Sequence, residues 1–145
     1  TISDRTGNRT GMQVWKMAYQ QLGFFPALLI APGFSSVSAV STELTVLATA
    51  LRAITFFDAP VGITPQQAIT GRGPAGTINF NTSSDRAGLC YPMQKMFNTT
   101  LNDGAGDYEL CALSTLMAGA WSRRDQEQGY WWSGSNLELL GVTGS

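Results

Sequence analysis

The sequence is 145 residues long, which suits one domain, and 43% of the residues are hydrophobic whereas only 13% are charged. An average soluble domain carries about 25% charged residues, so this shortage favours a surface covered by partner subunits, although a surface rich in Ser, Thr, Asn and Gln would give the same count. The net charge of −1 and the nine scattered basic residues exclude a basic nucleic-acid-binding surface. The lack of a long apolar run excludes a membrane span.

The N-terminal third of the chain predicts a linker, a helix and a strand. Residues 1–10 are polar and are interpreted as a linker or a trimmed end, with no secretion signal. A helix is predicted over 11–23, followed by a strand buried on both faces within the apolar run 24–33. The apolar face of this helix is predicted to consist of Met12, Trp15, Tyr19 and Leu22.

A second helix, strand and helix are predicted next. Ser36 or Ser38 is the expected cap of a helix with an apolar stripe. A buried strand at 54–57 is closed by Asp58, and a short helix follows whose capping box is formed by Thr64 and Gln67, with Pro65 between them. The stripe of the longer helix is Val40, Leu44, Leu47 and Leu51.

The second half is predicted to contain a third buried strand and a longer helix. A Gly-rich loop with a small hairpin at 77–80 precedes a strand at 87–91. The remaining predictions are a short strand at 93–97, a loop at 98–107, a helix at about 109–122 and an unassigned stretch at 123–145. Because three buried strands alternate with helices, we predict an α/β fold: a single domain with a mainly parallel sheet and helices on both faces.

The chain has no histidine, which removes the commonest general base and the usual catalytic triads and zinc sites. Its two cysteines, Cys90 and Cys111, are interpreted as buried thiols of a reducing cytosol. The Gly-rich segment 71–76 resembles a dinucleotide loop only superficially, because Pro74 lacks the N–H that a phosphate would need. We therefore expect no enzymatic activity, no metal and no cofactor.

Asp58 follows a predicted parallel strand, where open α/β sheets place their ligand crevice. A functional carboxylate is one interpretation. The other, which we favour, is a turn residue whose side chain binds backbone N–H groups before Pro60.

Two features near the C-terminus are candidate inter-subunit contacts. The charged cluster is either a solvated helix end or a set of ion pairs across a subunit boundary. Adjacent Trp131 and Trp132 point in different directions, so one ring is expected to pack inward and the other to fill a neighbour's pocket, unless both pack under flanking loops. The predicted contact residues are Arg123, Arg124, Asp125, Glu127, Trp131, Trp132 and Asn136.

The stretch 118–136 resembles the signature of tail sheath proteins from contractile-tailed phages, in the form typical of temperate myophages and prophages. The matching positions are Ala118-Gly119, Arg123-Arg124-Asp125, Gly129-Tyr130-Trp131 and the turn Ser133 to Asn136. Smaller matches precede and follow it in the expected order, so the resemblance covers almost the whole chain. The loop 71–85 is longer than typical, and 102–110 lacks the Pro-rich lead usual before the Ala-Gly pair.

This resemblance implies a structural subunit that assembles with other copies into a helical sheath around the tail tube, in the virion tail after assembly in the bacterial cytoplasm. Contraction during DNA injection would move the subunits as near-rigid bodies. Family members are longer, so 11–145 is interpreted as a fragment of the core domain, which we expect to be monomeric alone. Alternatives are a sheath of a tail-like bacteriocin or secretion device, and a small α/β enzyme or nucleotide-binding domain with a crevice near Gly33, Asp58 and Pro92.

Overall fold

The computed structural model describes residues 9–71 and 84–145. The predicted hairpin at 77–80 and most of the Gly-rich segment 71–76 lie outside these residues. The described helices are a 3-10 helix at Gly11–Met17, α1 at Ala18–Leu22, α2 at Ser38–Leu51, α3 at Pro65–Gly71, a second 3-10 helix at Asn102–Gly104 and α4 at Leu113–Gln128. The strands are β1 at Leu28–Ile30, β2 at Ile54–Asp58, β3 at Ala87–Cys90, β4 at Gln94–Asn98, β5 at Asp107–Cys111 and β6 at Val142–Gly144.

The first three strands form a parallel sheet in the order β1-β2-β3, and the last three form an antiparallel sheet in the order β5-β4-β6. The chain thus combines helices with two small sheets, which agrees with the predicted mixture of α and β structure. The predicted parallel pairing holds for β1, β2 and β3. The other three strands form a separate antiparallel sheet, so the prediction of a mainly parallel sheet is wrong.

Helices α2 and α4 lie on opposite faces of the parallel sheet. Neighbouring side chains of a strand point to opposite faces. Phe56 of β2 packs against Trp121 of α4, with ring centroids 5.5 Å apart, whereas Leu29, which pairs with Thr55, joins the core cluster of α2. Phe56 and Thr55 are neighbours in β2, so the contacts of α4 and α2 fall on different faces of the three described strands.

The core of the chain lies between α2 and the parallel sheet. Leu29, Leu44, Leu47, Ala48 and Ala53 form one buried cluster, and the predicted stripe residues Val40 and Leu51 pack against it. Burial of a Leu side chain contributes about 1.5–3 kcal/mol, so this cluster stabilises the α2 side of the sheet. The predicted cap at Ser36 or Ser38 is wrong, because Val37 occupies the N-cap position and makes no side-chain cap hydrogen bond.

The capping box of α3 forms as predicted. The backbone N–H of Gln67 donates to the Thr64 hydroxyl at 3.2 Å, and the backbone N–H of Thr64 donates to Gln67 Oε1 at 2.9 Å. Two N–H groups that the helix itself leaves unpaired are thus satisfied.

The N-terminal segment differs from its prediction. The predicted helix over 11–23 is a 3-10 helix followed by one short α-helix, and Gly23 ends it in the left-handed conformation, as expected for a C-cap. The predicted buried strand within 24–33 is reduced to the three residues of β1, because Phe24 and Phe25 remain exposed. Most of the predicted apolar face also lies at the surface: Trp15, Tyr19 and Leu22 are exposed.

The C-terminal half contains two strands that the sequence did not predict. β5 occupies residues predicted as a loop and a helix start, so α4 begins at Leu113 instead of 109 and continues to Gln128. β6 lies in the unassigned stretch. The strand predicted at 93–97 is confirmed as β4.

Candidate functional site

Asp58 is a buried structural carboxylate at the end of β2. Its Oδ1 accepts a hydrogen bond from the backbone N–H of Ser114 at 2.8 Å, and its Oδ2 accepts one from the Ser114 hydroxyl at 2.6 Å. The Ser35 hydroxyl contacts the same Oδ2 at 3.1 Å and accepts the Asp58 backbone N–H at 3.0 Å. Both carboxylate oxygens therefore already bind groups of the chain.

This network fixes the start of α4. The N-cap residue Ala112 has no side chain that can accept a hydrogen bond, so Asp58 supplies the missing acceptor from the sheet. A carboxylate at a helix N-terminus is also favoured by the helix dipole. Asp58 is thus a structural residue whose side chain binds a backbone N–H, as we favoured. That N–H, however, lies 56 residues away and not in the turn before Pro60.

A cleft of about 260 Å³ lies beside this network, at the carboxyl ends of the parallel strands. Its lining is mostly apolar, and the Tyr91 hydroxyl is used in a 3.0 Å hydrogen bond to the Ile63 carbonyl. Burial, and to a smaller extent the Asp58 carboxylate, raise the pKa of Cys90 to about 12, so this thiol stays protonated at neutral pH. Among its described lining residues, the cleft thus contains neither a free side-chain carboxylate nor a thiolate nucleophile.

The described part of the chain also lacks a cluster of metal-binding side chains. Within residues 9–71 and 84–145, no three Cys, Asp or Glu side chains lie close enough together to hold a metal ion. Cys90 and Cys111 are both free thiols. Cys90 is buried as predicted, whereas Cys111 is only half-buried.

The charged cluster lies on the last two turns of α4 and makes contacts within the chain. Arg123 Nη2 donates to the Glu138 carbonyl at 2.9 Å, which ties α4 to the C-terminal segment. Arg124 Nη1 donates to Gln128 Oε1 one helical turn further on. Asp125 Oδ1 is buried and has no hydrogen-bond partner within the described chain, whereas Glu127 is exposed.

The aromatic loop, which we define as Tyr130, Trp131 and Trp132, follows the C-terminus of α4 and projects from the surface. The exposed fractions of these side chains are 84%, 71% and 53%. Gly129 ends the helix with φ +98°, and a Cβ on it would lie 2.6 Å from the Trp131 ring. Neither tryptophan is buried within the chain. The expectation that one ring packs inward, and the alternative that both pack under flanking loops, are therefore wrong for this structure.

The turn after the aromatic loop packs back onto the core. Gly134 is buried, and a Cβ on it would lie 2.3 Å from the Trp121 ring. Trp121 in turn contacts Phe56 of the central strand. Asn136 is exposed and adopts φ +58°, which identifies it as a turn residue at this position.

A groove of about 270 Å³ runs between α4 and residues 138–140. Gly119 lies on its wall, where a Cβ would meet nothing within 4 Å. Gly119 is therefore required neither by a left-handed backbone nor by packing inside the described chain.

Comparison with known proteins identifies the family. The sequence model of the phage tail sheath protein central domain matches residues 7–145. The chain belongs to this family. It is 51% identical, over 138 residues, to the tail sheath protein of Burkholderia phage BcepMu, covering 95% of this chain and 28% of that protein. It is 33% identical, over 139 residues, to a Pseudomonas aeruginosa protein named as a prophage major tail sheath protein, covering 96% of this chain and 33% of that protein.

The family resemblance inferred from residues 118–136 is thus confirmed, including its phage and prophage character. The structure divides this sheath signature into two parts. Trp121, Arg123 and Gly134 hold the segment onto the fold, whereas the aromatic loop is directed to solvent. No described helix of this sheath-family chain is both long and apolar enough to cross a membrane.

Two serines of the Asp58 network were not predicted. Ser35 and Ser114 are fully buried and far apart in sequence. Serine is common at loops and helix starts, and neither residue lies in a pattern that indicates a long-range partner. The one available signal was Asp58 itself, a lone carboxylate after an apolar strand.

Proposed function

We propose that the protein containing this chain is a structural subunit of the contractile sheath around a phage tail tube. The observation that carries the proposal is the family match over residues 7–145, supported by the relatives named as tail sheath proteins. On this proposal the chain acts in the virion tail after assembly in the host cytoplasm, and contraction by subunit rearrangement accompanies DNA injection.

The chain spans about a third or less of the length of the curated relatives that it matches. The proposal therefore concerns the longer protein, of which 11–145 would be a fragment of the core domain. Contacts with other sheath subunits and with the tail tube belong to that whole protein. We expect the 145-residue chain alone to be monomeric, which light scattering after size exclusion would measure; a stable ring or tube would contradict it.

We propose that the aromatic loop is a contact with a neighbouring subunit. Large aromatic side chains contribute strongly to binding when a partner buries them, and Trp131 and Trp132 are among the exposed ones here. Glu127 and Asn136 are exposed nearby in sequence and complete this candidate contact. Arg123 and Arg124 already bind acceptors within the chain, so we assign them a supporting role.

Asp125 is the charged residue best suited to an inter-subunit bond. Its Oδ1 is buried without a hydrogen-bond partner in the described chain, and an unpaired buried acceptor costs about 1–3 kcal/mol. A donor from a neighbouring subunit would remove that cost once the Asp125 side chain rotates to bring this shielded atom to the surface. Asp125 would therefore gain a hydrogen bond on assembly, whereas Arg123 already has an acceptor within the chain.

A small α/β enzyme is the alternative from another class. Asp58 is fully engaged by Ser35 and Ser114, and Cys90 is held as a neutral thiol. The family is a structural one. A sheath from a tail-like bacteriocin or secretion device would use the same fold and the same contacts.

The test is assembly of the full-length protein with and without the aromatic loop. We expect Trp131→Ala combined with Trp132→Ala to reduce the fraction sedimenting as polymer, while the melting temperature stays close to that of the unchanged protein. Phe34→Ala is the matched control, because the exposed fraction of Phe34 is 71%, the same as that of Trp131. Electron microscopy of the sedimented material would show whether helical tubes form.

Two results would count against the proposal. If the double variant assembles as well as the unchanged protein, the aromatic loop is not a subunit contact. If the unchanged full-length protein forms no helical polymer under any condition that keeps it folded, the sheath assignment itself fails.

A further inference from the structure

The loop between β4 and β5 contains the pair Asp103-Gly104, in which an aspartate precedes a glycine. The other aspartates of the sequence precede Ala, Arg, Tyr or Gln. The carboxyl carbon of an aspartate is open to attack by the backbone nitrogen of the next residue. Glycine hinders this attack least, because it has no Cβ and its backbone moves most freely. This pair is therefore the place in the chain where a spontaneous backbone rearrangement is most favoured.

The structure leaves the pair open to solvent. Asp103 and Gly104 are both exposed, and the Asp103 carboxylate has no hydrogen-bond or ionic partner within residues 9–71 and 84–145. The backbone of Asp103 has φ +52° and ψ +31°, and Gly104 has φ +90°. A Cβ on Gly104 would meet nothing within 4 Å. Solvent therefore reaches both of the groups that would react.

Asp107, at the other end of the same loop, is held by the sheet. The backbone N–H of Tyr108 donates to Asp107 Oδ1 at 2.7 Å, and Asp107 pairs with Asn98 where β4 and β5 meet. Attack by the Tyr108 nitrogen would require this strand pairing to open, and the large Tyr108 side chain crowds the approach. Asp107 is therefore an internal control for Asp103.

The remaining aspartates of the described chain lack the same combination of features. Asp58 is buried, and both of its oxygens accept hydrogen bonds. Asp125 lies within α4. Asp85 is exposed, but the residue after it is Arg86, whose backbone N–H donates to a serine hydroxyl at 3.2 Å. Among the described aspartates, Asp103 alone joins an exposed carboxylate to a following glycine.

We propose that Asp103-Gly104 is a site of spontaneous β-aspartyl formation, which loosens the hairpin of β4 and β5. The Gly104 nitrogen bonds to Cγ of Asp103, the carboxyl hydroxyl leaves as water with the amide proton, and a five-membered succinimide forms. Water then opens this ring at the α-carbonyl, so the chain continues through the side-chain carbonyl and the α-carboxyl group becomes free. One water leaves and one is added, so the reaction needs only solvent and does not change the mass.

One hydrogen bond of the loop must open for the ring to close. The backbone N–H of Gly104 donates to the Leu101 carbonyl at 3.2 Å, and Asp103 must rotate about ψ to bring Cγ to this nitrogen. A bond in an exposed turn opens locally without unfolding the rest of the chain. The product adds the Asp103 Cβ to the backbone between Leu101 and Gly106, whose N–H donates to the same carbonyl at 2.9 Å. We therefore expect this end of the hairpin to loosen.

The test is prolonged incubation of the unassembled full-length protein in neutral buffer. Trypsin cleaves after Lys95 and Arg123, so one peptide, 96–123, carries both Asp103 and Asp107. Electron-transfer fragmentation distinguishes β-aspartyl from aspartyl links within it, and a sample digested before incubation corrects for links formed during digestion. We expect β-aspartate at Asp103 to accumulate several-fold faster than at Asp107.

A parallel incubation in urea shows what the fold contributes. β-Aspartate that forms at Asp103 only in urea would mean that the folded loop protects the pair. Its absence under both conditions would mean that the pair is unreactive, and equal accumulation at Asp103 and Asp107 in the folded protein would mean that the loop gives no selectivity. Each of these results overturns the proposal. Asp103→Glu is the matched variant, because it keeps the charge but lengthens the side chain, and it should abolish the new link at this position.

Hydrogen exchange of the incubated protein tests the loosening. We expect faster amide exchange across residues 98–107 than before incubation, with exchange in β2 unchanged. Unchanged exchange across 98–107 in a sample rich in β-aspartate would overturn this second part of the proposal. Both measurements use unassembled subunits, so they do not depend on the proposed sheath function.

Discussion

The parallel and antiparallel sheets have the same number of strands but differ in how they are stabilised. In the parallel sheet, four of the five residues of β2 are buried, and α2 and α4 cover its two faces. In the antiparallel sheet no strand residue is buried. Within the described residues, the parallel sheet therefore carries the buried core, whereas the antiparallel sheet contributes no buried residue to it.

The largest expected difference is between two phenylalanines, one from each sheet. Phe57 of β2 is 1% exposed and Phe97 of β4 is 48% exposed. Phe57→Ala should lower the free energy of unfolding of the 145-residue chain by about 3–5 kcal/mol, because it leaves a core cavity. Phe97→Ala should cost about 1 kcal/mol or less in the same chain. Urea denaturation measures both, and similar losses would remove the contrast between the sheets.

The Asp58 network should show the next largest effect. Asp58→Ala leaves the Ser114 N–H and two buried hydroxyl groups without their acceptor, so we expect a loss of about 2–4 kcal/mol in unfolding free energy. Asp85→Ala is the matched control, since Asp85 is exposed. An Asp58→Ala chain as stable as the control would mean that the network does not hold α4 to the sheet.

Gly134 tests how firmly the sheath signature is attached to the parallel sheet. A Cβ at this position would lie 2.3 Å from the Trp121 ring, which packs on Phe56. Gly134→Ala should therefore cost about 1–3 kcal/mol through overpacking, measured by thermal unfolding. Ser135→Ala, at the exposed neighbouring position, should cost much less; equal effects would show that the contact with Trp121 is loose.

The smallest expected effect is a gain in stability. Gly119 is helical and a Cβ there would meet nothing within 4 Å, so Gly119→Ala should stabilise the 145-residue chain by about 0.5–1 kcal/mol. If full-length protein carrying the same substitution assembles less well, the groove beside α4 is also a subunit contact. A loss of stability in the isolated chain would contradict the open space around Gly119.

The two sheets also differ in how well the sequence predicted them. β2 and β3 are short apolar runs closed by Asp58 and Pro92, and both were predicted at nearly the observed positions. β5 was missed although residues 107–111 alternate polar and apolar side chains, a pattern typical of strands. Leu110 also fits a helical spacing with Leu113 and Met117, and it was therefore assigned to the helix. The start of α4 was misplaced for the same reason, since β5 occupies the residues assigned to it.

The family signature could be recognised from the sequence, but its packed residues could not be separated from its exposed ones. The motif around Trp121, Arg123 and Trp131 identifies the family, yet spacing alone does not show which side chains point inward. Trp121 packs on Phe56 while Trp131 projects outward, and this depends on where the chain turns at Gly129. The Asp58 network was unpredictable for a different reason: Ser35 and Ser114 become its partners only through tertiary packing.

A density map of the assembled full-length protein is the most direct test of the central claim that this chain is a sheath subunit with an outward aromatic contact. The account predicts a helical polymer in which a neighbouring subunit covers Trp131 and Trp132. A polymer whose two tryptophans face open solvent would contradict it.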